Sequence, residues 1–224
     1  MRSRAARTSS SVGSSTVLAP GYESVPMVCG GPWPPPLPRL RSLLAARSPR
    51  TAVADAAVAL VLRPDDEGWS VLLVRRAERL GDPWSGHVVL PGGRRQSGDL
   101  DDRATAIRET REEVDVDLAT RGEWLGALDP VRPRRLAVPL IVAPQVFAVH
   151  PHTEAHPNDE IAAAIWVPVD ELRDPAARAE RVWKAERHPA LRCRGLEIWG
   201  MTLRVLEAFL HLWNRACEPS TPVS

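Results

Sequence analysis

Residues 92–116 read GGRRQSGDLDDRATAIRETREEVDV, and this stretch decides how the rest of the chain is organised. The two glycines mark a turn. From Asp99 onward, Ala104, Ile107, Arg111 and Val114 recur at helical spacing, mostly apolar, which predicts a helix over 99–114. Asp99 is placed to cap it, with Asp102 three residues on as a variant of the capping box that sets negative charge at the positive helix end. Glu109, Glu112 and Glu113 then stand at i, i+3 and i+4. Side chains so spaced lie about 5–6 Å apart at Cβ on one side of a helix.

Three like charges on one face repel, and Arg108 and Arg111 offset only part of that. One reading is a solvated, salt-bridged face. The other is a cation site. The Gly-Gly turn follows a predicted strand, so a backbone carbonyl can join the carboxylates, and hard oxygen donors of this kind suit Mg²⁺ or Mn²⁺ completed by waters and substrate phosphates. Spacing alone leaves both readings open.

Working outward, Ala52–Leu62 predicts a buried strand closed by a turn over 63–68, with Ser70–Val74 as its returning partner. His87–Leu90 is a short strand running into Pro91-Gly92-Gly93. Arg39–Arg47 predicts a short amphipathic helix. Downstream, Trp124–Leu128, Leu136–Val149 and Ile161–Val167 read as strands, the middle one with a bulge or break at its prolines. Residues 168–172 start a short helix, and Gly200–Ala216 carries Leu203, Leu206, Leu210 and Trp213 on one stripe. Strands alternating with helices give one mixed α/β domain over 36–216. A Ser/Pro-rich extension over 1–35, expected to be disordered, precedes it, and a flexible tail over 217–224 follows.

Composition narrows the function classes. Across 224 residues, 29 Lys and Arg against 28 Asp and Glu leave a net charge of +1, which gives no support for a broadly basic nucleic-acid binder. Cys29, Cys193 and Cys217 form neither a disulfide framework nor a metal knuckle, which suits a reducing, cytoplasmic setting. Met1–Ser15 is rich in Arg and Ser without an acid; a disordered extension or a mis-called start is preferred here over a transit peptide. The apolar stretch 136–149 is too short and too interrupted to cross a bilayer, so a soluble protein without a membrane partner is expected. The 22 prolines cluster partly within 32–38, in the lead-in to the domain.

The segment Gly93, Asp99 and Arg108-Glu109-Thr110-Arg111-Glu112-Glu113-Val114-Asp115-Val116 resembles the Nudix box, G-x5-E-x7-R-E-U-x-E-E-x-G-U with U a bulky aliphatic residue. Asp99 stands for the first Glu, one extra residue precedes Arg108, Thr110 fills an aliphatic slot, and Asp115 takes the last Gly slot, where it must adopt a left-handed conformation. The first two departures resemble the coenzyme A pyrophosphatase branch. So do Leu72 to Arg76, Arg79-Leu80 and Gly86 to Gly93, although Asp82 to Ser85 replaces a usual histidine stretch and His87 a Gln. Residues 157–161 and 166–172 are similar to the closing strand and helix of Nudix domains.

The resemblance implies an α/β/α sandwich with a mixed sheet and cleavage of a nucleoside diphosphate linked to a group X. Coenzyme A or a derivative is the expected substrate, giving 3′,5′-ADP and 4′-phosphopantetheine. It implies Glu109, Glu112 and Glu113 as metal ligands, with the Gly93 carbonyl beside them and Arg108 orienting a glutamate. Glu160, an acid on a loop, is implied as a ligand or base, with Glu109 the other base candidate. Arg75, Arg76, Arg94 and Arg95 flank the site as candidates for substrate phosphates. ADP-ribose, dinucleoside polyphosphates, damaged dNTPs and a non-catalytic nucleotide-binding module are the alternatives. A small-molecule diphosphate is the expected partner, and a homodimer is allowed for.

Overall fold

The computed structural model describes residues 36–47, 54–66, 68–82, 84–133 and 140–218; the 1–35 extension and most of the 217–224 tail lie outside them. Strand β1 (Ala56–Asp65) is the axis of the architecture. Its alternation sends Ala57, Ala59 and Val61 to one core and Ala56, Leu60 and Leu62 to another, all of them buried. One edge of β1 pairs antiparallel with β2 (Gly68–Arg76) near the turn and with β4 (Gly92–Arg94) near its start. The other edge runs parallel to β6 (Val142–Ala148). β2 also pairs with β7 (Ile161–Pro168) and with β3 (Val88–Val89), and β5 (Glu123–Ala127) lies beyond β6. Among the described residues this is a mixed sheet of seven strands.

Helix α2 (Asp102–Val114) and the short α3 (Leu118–Arg121) cover the first face, where Ala106, Val114 and Leu118 meet Ala57, Ala59, Leu72, Val74 and Phe147. Small side chains on both sides let α2 lie close to the strands. Thr110, fully buried where an aliphatic residue is usual, donates its hydroxyl to the Ala106 carbonyl at 2.7 Å and leaves no orphaned polar group.

On the second face α1 (Leu37–Ala45), α4 (Val169–Arg173) and α5 (Gly200–Cys217) share a core with a separate antiparallel sheet. That sheet is β8 (Arg178–Trp183), β9 (Glu186–Cys193) and β10 (Leu196–Trp199). The whole is the expected α/β/α sandwich with a mixed sheet.

Several local expectations change. Helix α2 begins three residues later than read, and its cap is Asp101, which accepts the Ala104 N–H at 2.7 Å. Asp99 is unavailable for capping because its own N–H closes a turn onto Gln96 and its carboxylate is engaged elsewhere. Asp115 does take the left-handed conformation, φ 54°, with its N–H on the Arg111 carbonyl. The predicted turn over 63–68 is shorter, since Arg63, Pro64 and Asp65 still pair with β2.

In the 136–149 segment β6 starts at Val142 and passes through Pro144 without a break; residues 134–139 lie outside the described ones. The irregularity sits on β5, between Trp124 and Gly126. Pro144 still serves as an acceptor, taking the Leu128 N–H at 3.0 Å. No helix among the described residues is long and apolar enough to cross a membrane.

Candidate active site

The site begins where β4 touches both β1 and α2. Gly92 sits at φ 151°, and a Cβ there would strike the Ala57 carbonyl and the backbone of Val58. A Cβ on Gly93 would meet the Glu109 carboxylate, within 2.7 Å of its oxygens. The Gly-Gly pair is therefore what lets backbone lie flush against the acidic helix. From that position the Gly92 N–H donates to Glu113 Oε2 at 2.9 Å.

Arg108 organises the acids. Its Nε and Nη2 make a two-pronged pair with Asp99 Oδ1 and Oδ2, both at 3.0 Å. Its Nη1 donates to Glu109 Oε1 at 2.8 Å and to Glu112 Oε2 at 2.9 Å, and Nη2 also reaches the Arg94 carbonyl. Asp99 accepts two further bonds, from the Gln96 N–H and the Thr105 hydroxyl, each at 2.9 Å. Held by these donors, Arg108 foremost, the Asp99 carboxyl lies far below the usual carboxylate range, and Arg108 is held above its own.

Glu109 and Glu113 move the other way. Burial raises Glu109 despite Arg108, and the Glu112 charge adds to the rise. Glu113 is 4% exposed; burial first and then the charges of Glu109 and Glu160 push it up to about 7, against the Gly92 N–H and Arg76.

Glu160 is half exposed at the entry to β7, with Arg79 Nη1 3.6 Å from its carboxylate. Asn158 ties its loop to α2: it donates to the Glu112 and Glu113 carbonyls at 2.8 and 2.9 Å and accepts the Glu160 N–H at 2.8 Å. This positioning role goes unread in the sequence, although an Asn two residues before an acid is the pattern of an Asx turn.

The four arginines separate. Arg76 donates to Asp82 at 3.1 Å, and its charge acts to lower the Glu113 carboxyl. Arg75, its neighbour on β2, falls on the opposite face with Val71 and Leu73. Arg94 is exposed on β4 beside Arg108. Arg95 is spent on its own loop, donating to the Asp99 and Leu100 carbonyls at 2.8 and 3.1 Å, with Asp102 at 3.6 Å.

Among the described residues no three His, Cys, Asp or Glu side chains form a preformed metal cage. Arg108 bonds both Glu109 and Glu112. The chemistry nonetheless fits a hard divalent cation. The donors are all oxygen, the glycine cradle keeps backbone against Glu109, and a cation would relieve the repulsion between the partly buried Glu109 and the buried Glu113.

A three-layer α/β/α domain with an acidic helix laid over a Gly-Gly strand defines a class of enzyme scaffold. The chain belongs to the Nudix family: a model of the NUDIX domain matches residues 53–188. The chain is 30% identical over 163 residues to the mitochondrial Nudix hydrolase 15 of Arabidopsis thaliana, covering 67% of this chain and 55% of that one. It is 28% identical over 181 residues to a mitochondrial coenzyme A diphosphatase of Homo sapiens, covering 78% and 76%. A solved UDP-X diphosphatase has a TM-score of 0.48 at 14% identity, over 80% of this chain and 71% of that one. Against three curated relatives the chain spans 33%, 55% and 52% of their length.

Proposed function

We propose that this chain is a pyrophosphohydrolase using Mg²⁺ or Mn²⁺, with coenzyme A or a derivative as substrate and 3′,5′-ADP and 4′-phosphopantetheine as products. The observation that carries the reading is the gathering of Glu109, Glu112 and Glu113 under the Gly92-Gly93 strand, with Arg108 locked among them by Asp99. The likeness to a coenzyme A diphosphatase over most of both chains supports the substrate.

Glu109, Glu112, Glu113 and the Gly93 carbonyl would hold the cation. When bound, it polarises a phosphoryl oxygen and lowers the pKa of water beside it. Arg108 touches no substrate; it fixes Glu109 and Glu112. Arg76 and Arg94 would take the diphosphate; the Arg76 charge acting on Glu113 and the Arg94 carbonyl bonded to Arg108 support this role. Glu160, half exposed and not bonded to Arg108, takes the proton of the attacking water. A new oxygen–phosphorus bond forms, the P–O–P bridge breaks on one side, and two phosphate monoesters leave.

The test is a panel assay of the purified chain with Mg²⁺ or Mn²⁺ on coenzyme A, ADP-ribose, NADH and dinucleoside polyphosphates. The expected result is preferential release of 3′,5′-ADP from coenzyme A. Preference for another member would move the substrate assignment, and no product from any would leave a nucleotide-binding module.

A further inference from the structure

The hairpin joining β8 to β9 turns through Lys184 and Ala185, both at positive φ, 49° and 63°. This is the shape that Asn-Gly normally supplies, and neither residue present has that freedom, so the turn holds backbone strain. It presents Trp183 and Lys184 beside a row of rings. Trp199 is the hub, with ring centroids 5.2 Å from His87, 5.4 Å from Trp183 and 5.6 Å from His188. Trp84 extends the row, 5.8 Å from His87, and is 43% exposed. The rings meet edge to face or tilted, and the half-exposed Trp84 ends the row.

This row is tied to the Glu160 loop through β2: the His87 carbonyl accepts the Arg76 N–H at 3.0 Å, and the next residue, Ala77, donates its N–H to the Glu160 carbonyl at 2.8 Å. The far rim is cationic. The Arg181 guanidinium stacks 4.7 Å from the Trp199 centroid and is paired with Glu197. The Lys184 ammonium lies 4.5 Å from the Trp183 centroid and has no ion pair among the described residues. It is the single lysine of the chain.

We propose that Trp84, His87, Trp183 and Trp199 form the platform on which the substrate's nucleoside base stacks, and that Lys184 at its rim takes a phosphate carried on the ribose. This deepens the function proposed above and rests on it. A base offers a flat π surface to ring faces, and stacking of that kind tolerates any base. The phosphate is what distinguishes coenzyme A from ADP-ribose, and Lys184 is a cation without an ion pair among the described residues. A flexible pantetheine arm has neither feature and would leave both unmatched.

Two measurements on the full chain test this. The first is the ratio of kcat/KM for coenzyme A over its analogue lacking the 3′-phosphate. Lys184→Gln should reduce that ratio about tenfold, the loss of one charge-assisted bond. Trp183→Leu should raise KM for both substrates while Trp183→Phe restores it, which separates stacking from folding. An unchanged ratio in Lys184→Gln overturns the phosphate assignment.

The second needs no turnover: the rate at which an amine-reactive ester labels Lys184, read by mass spectrometry. Protection by 3′,5′-ADP but not by 5′-AMP is expected, and equal labelling in both overturns the subsite. Protection in a chain that cleaves no diphosphate would sustain the subsite and overturn the hydrolase reading. Turnover of coenzyme A with neither protection nor a changed ratio would overturn the subsite alone.

Discussion

Asp99 and Glu113 carry opposite electrostatic signs for the stability of the fold, and each makes a separate prediction. The Asp99 carboxyl, depressed by Arg108 and by the Gln96 and Thr105 donors, contributes stability that is complete above its unfolded pKa of about 4 and lost as pH falls toward its folded value. Asp99→Asn should therefore cost about 2–3 kcal/mol at pH 7, because Arg108 is left half paired. The gap to the parent should close on acidification below about pH 4; denaturant titration at several pH values checks this. Glu113 is the reverse: raised from 4.5 to about 7, it favours the fold below 4.5 and costs stability as pH rises through 7. With a chelator present, Glu113→Gln should raise Tm by about 3 °C or more above pH 7, with turnover falling at least about a hundredfold. A Tm that tracks the parent at every pH would contradict the burial argument. Glu109, Glu112 and Glu113 are legible in the sequence because helical periodicity alone puts them on one side. The role of Asp99 is not, because any of three nearby aspartates satisfies capping preference and only the turn onto Gln96 selects among them.

At the scale of elements, α2 is defined by its two ends. Asp101 caps the start, and Asp115 ends it in the left-handed region, where a side chain is a cost that Gly avoids. Asp115→Gly should stabilise by about 0.5–1 kcal/mol, read as a rise in Tm of about 2–3 °C, with turnover unchanged. Strand β4 is legible only as a turn, since three residues of Gly, Gly and Arg carry no alternation; its pairing with Ala56, Ala57 and Val58 is a tertiary fact. β6 shows the converse. Its Pro144 suggests an interruption, yet the parallel ladder with β1 runs through it regularly, and the irregularity lies on β5.

For the molecule as a whole, the sheet divides two cores of different character. The α2 side is built on alanines that bring the acid helix close, and the α5 side on large side chains. Trp213, 3% exposed, meets Phe209 at 5.5 Å and Trp69 at 6.1 Å between ring centroids and fills that second core. Trp213→Ala should cost about 3–5 kcal/mol, measured by chemical denaturation. Helix α5 is plain in the sequence from its apolar stripe, but the β8–β10 sheet is not. RAERVW and ERHPALRC alternate charge with small or aromatic residues; ERHPALRC is a strand whose Leu191 enters the core shared with α4 and α5, and RAERVW is a strand through its pairing with β9.

The parallel pairing of β1 with β6 also sets an order of assembly. Asp55 accepts the Ile141 N–H from a residue 86 positions further along, and the acid helix lies within that span. During synthesis α2 emerges before β6 and before the Asn158 loop that anchors its end, so its carboxylates spend that interval in water, on a segment too short to hold a stable helix by itself. The acid site is thus complete only when the chain has lengthened past residue 160.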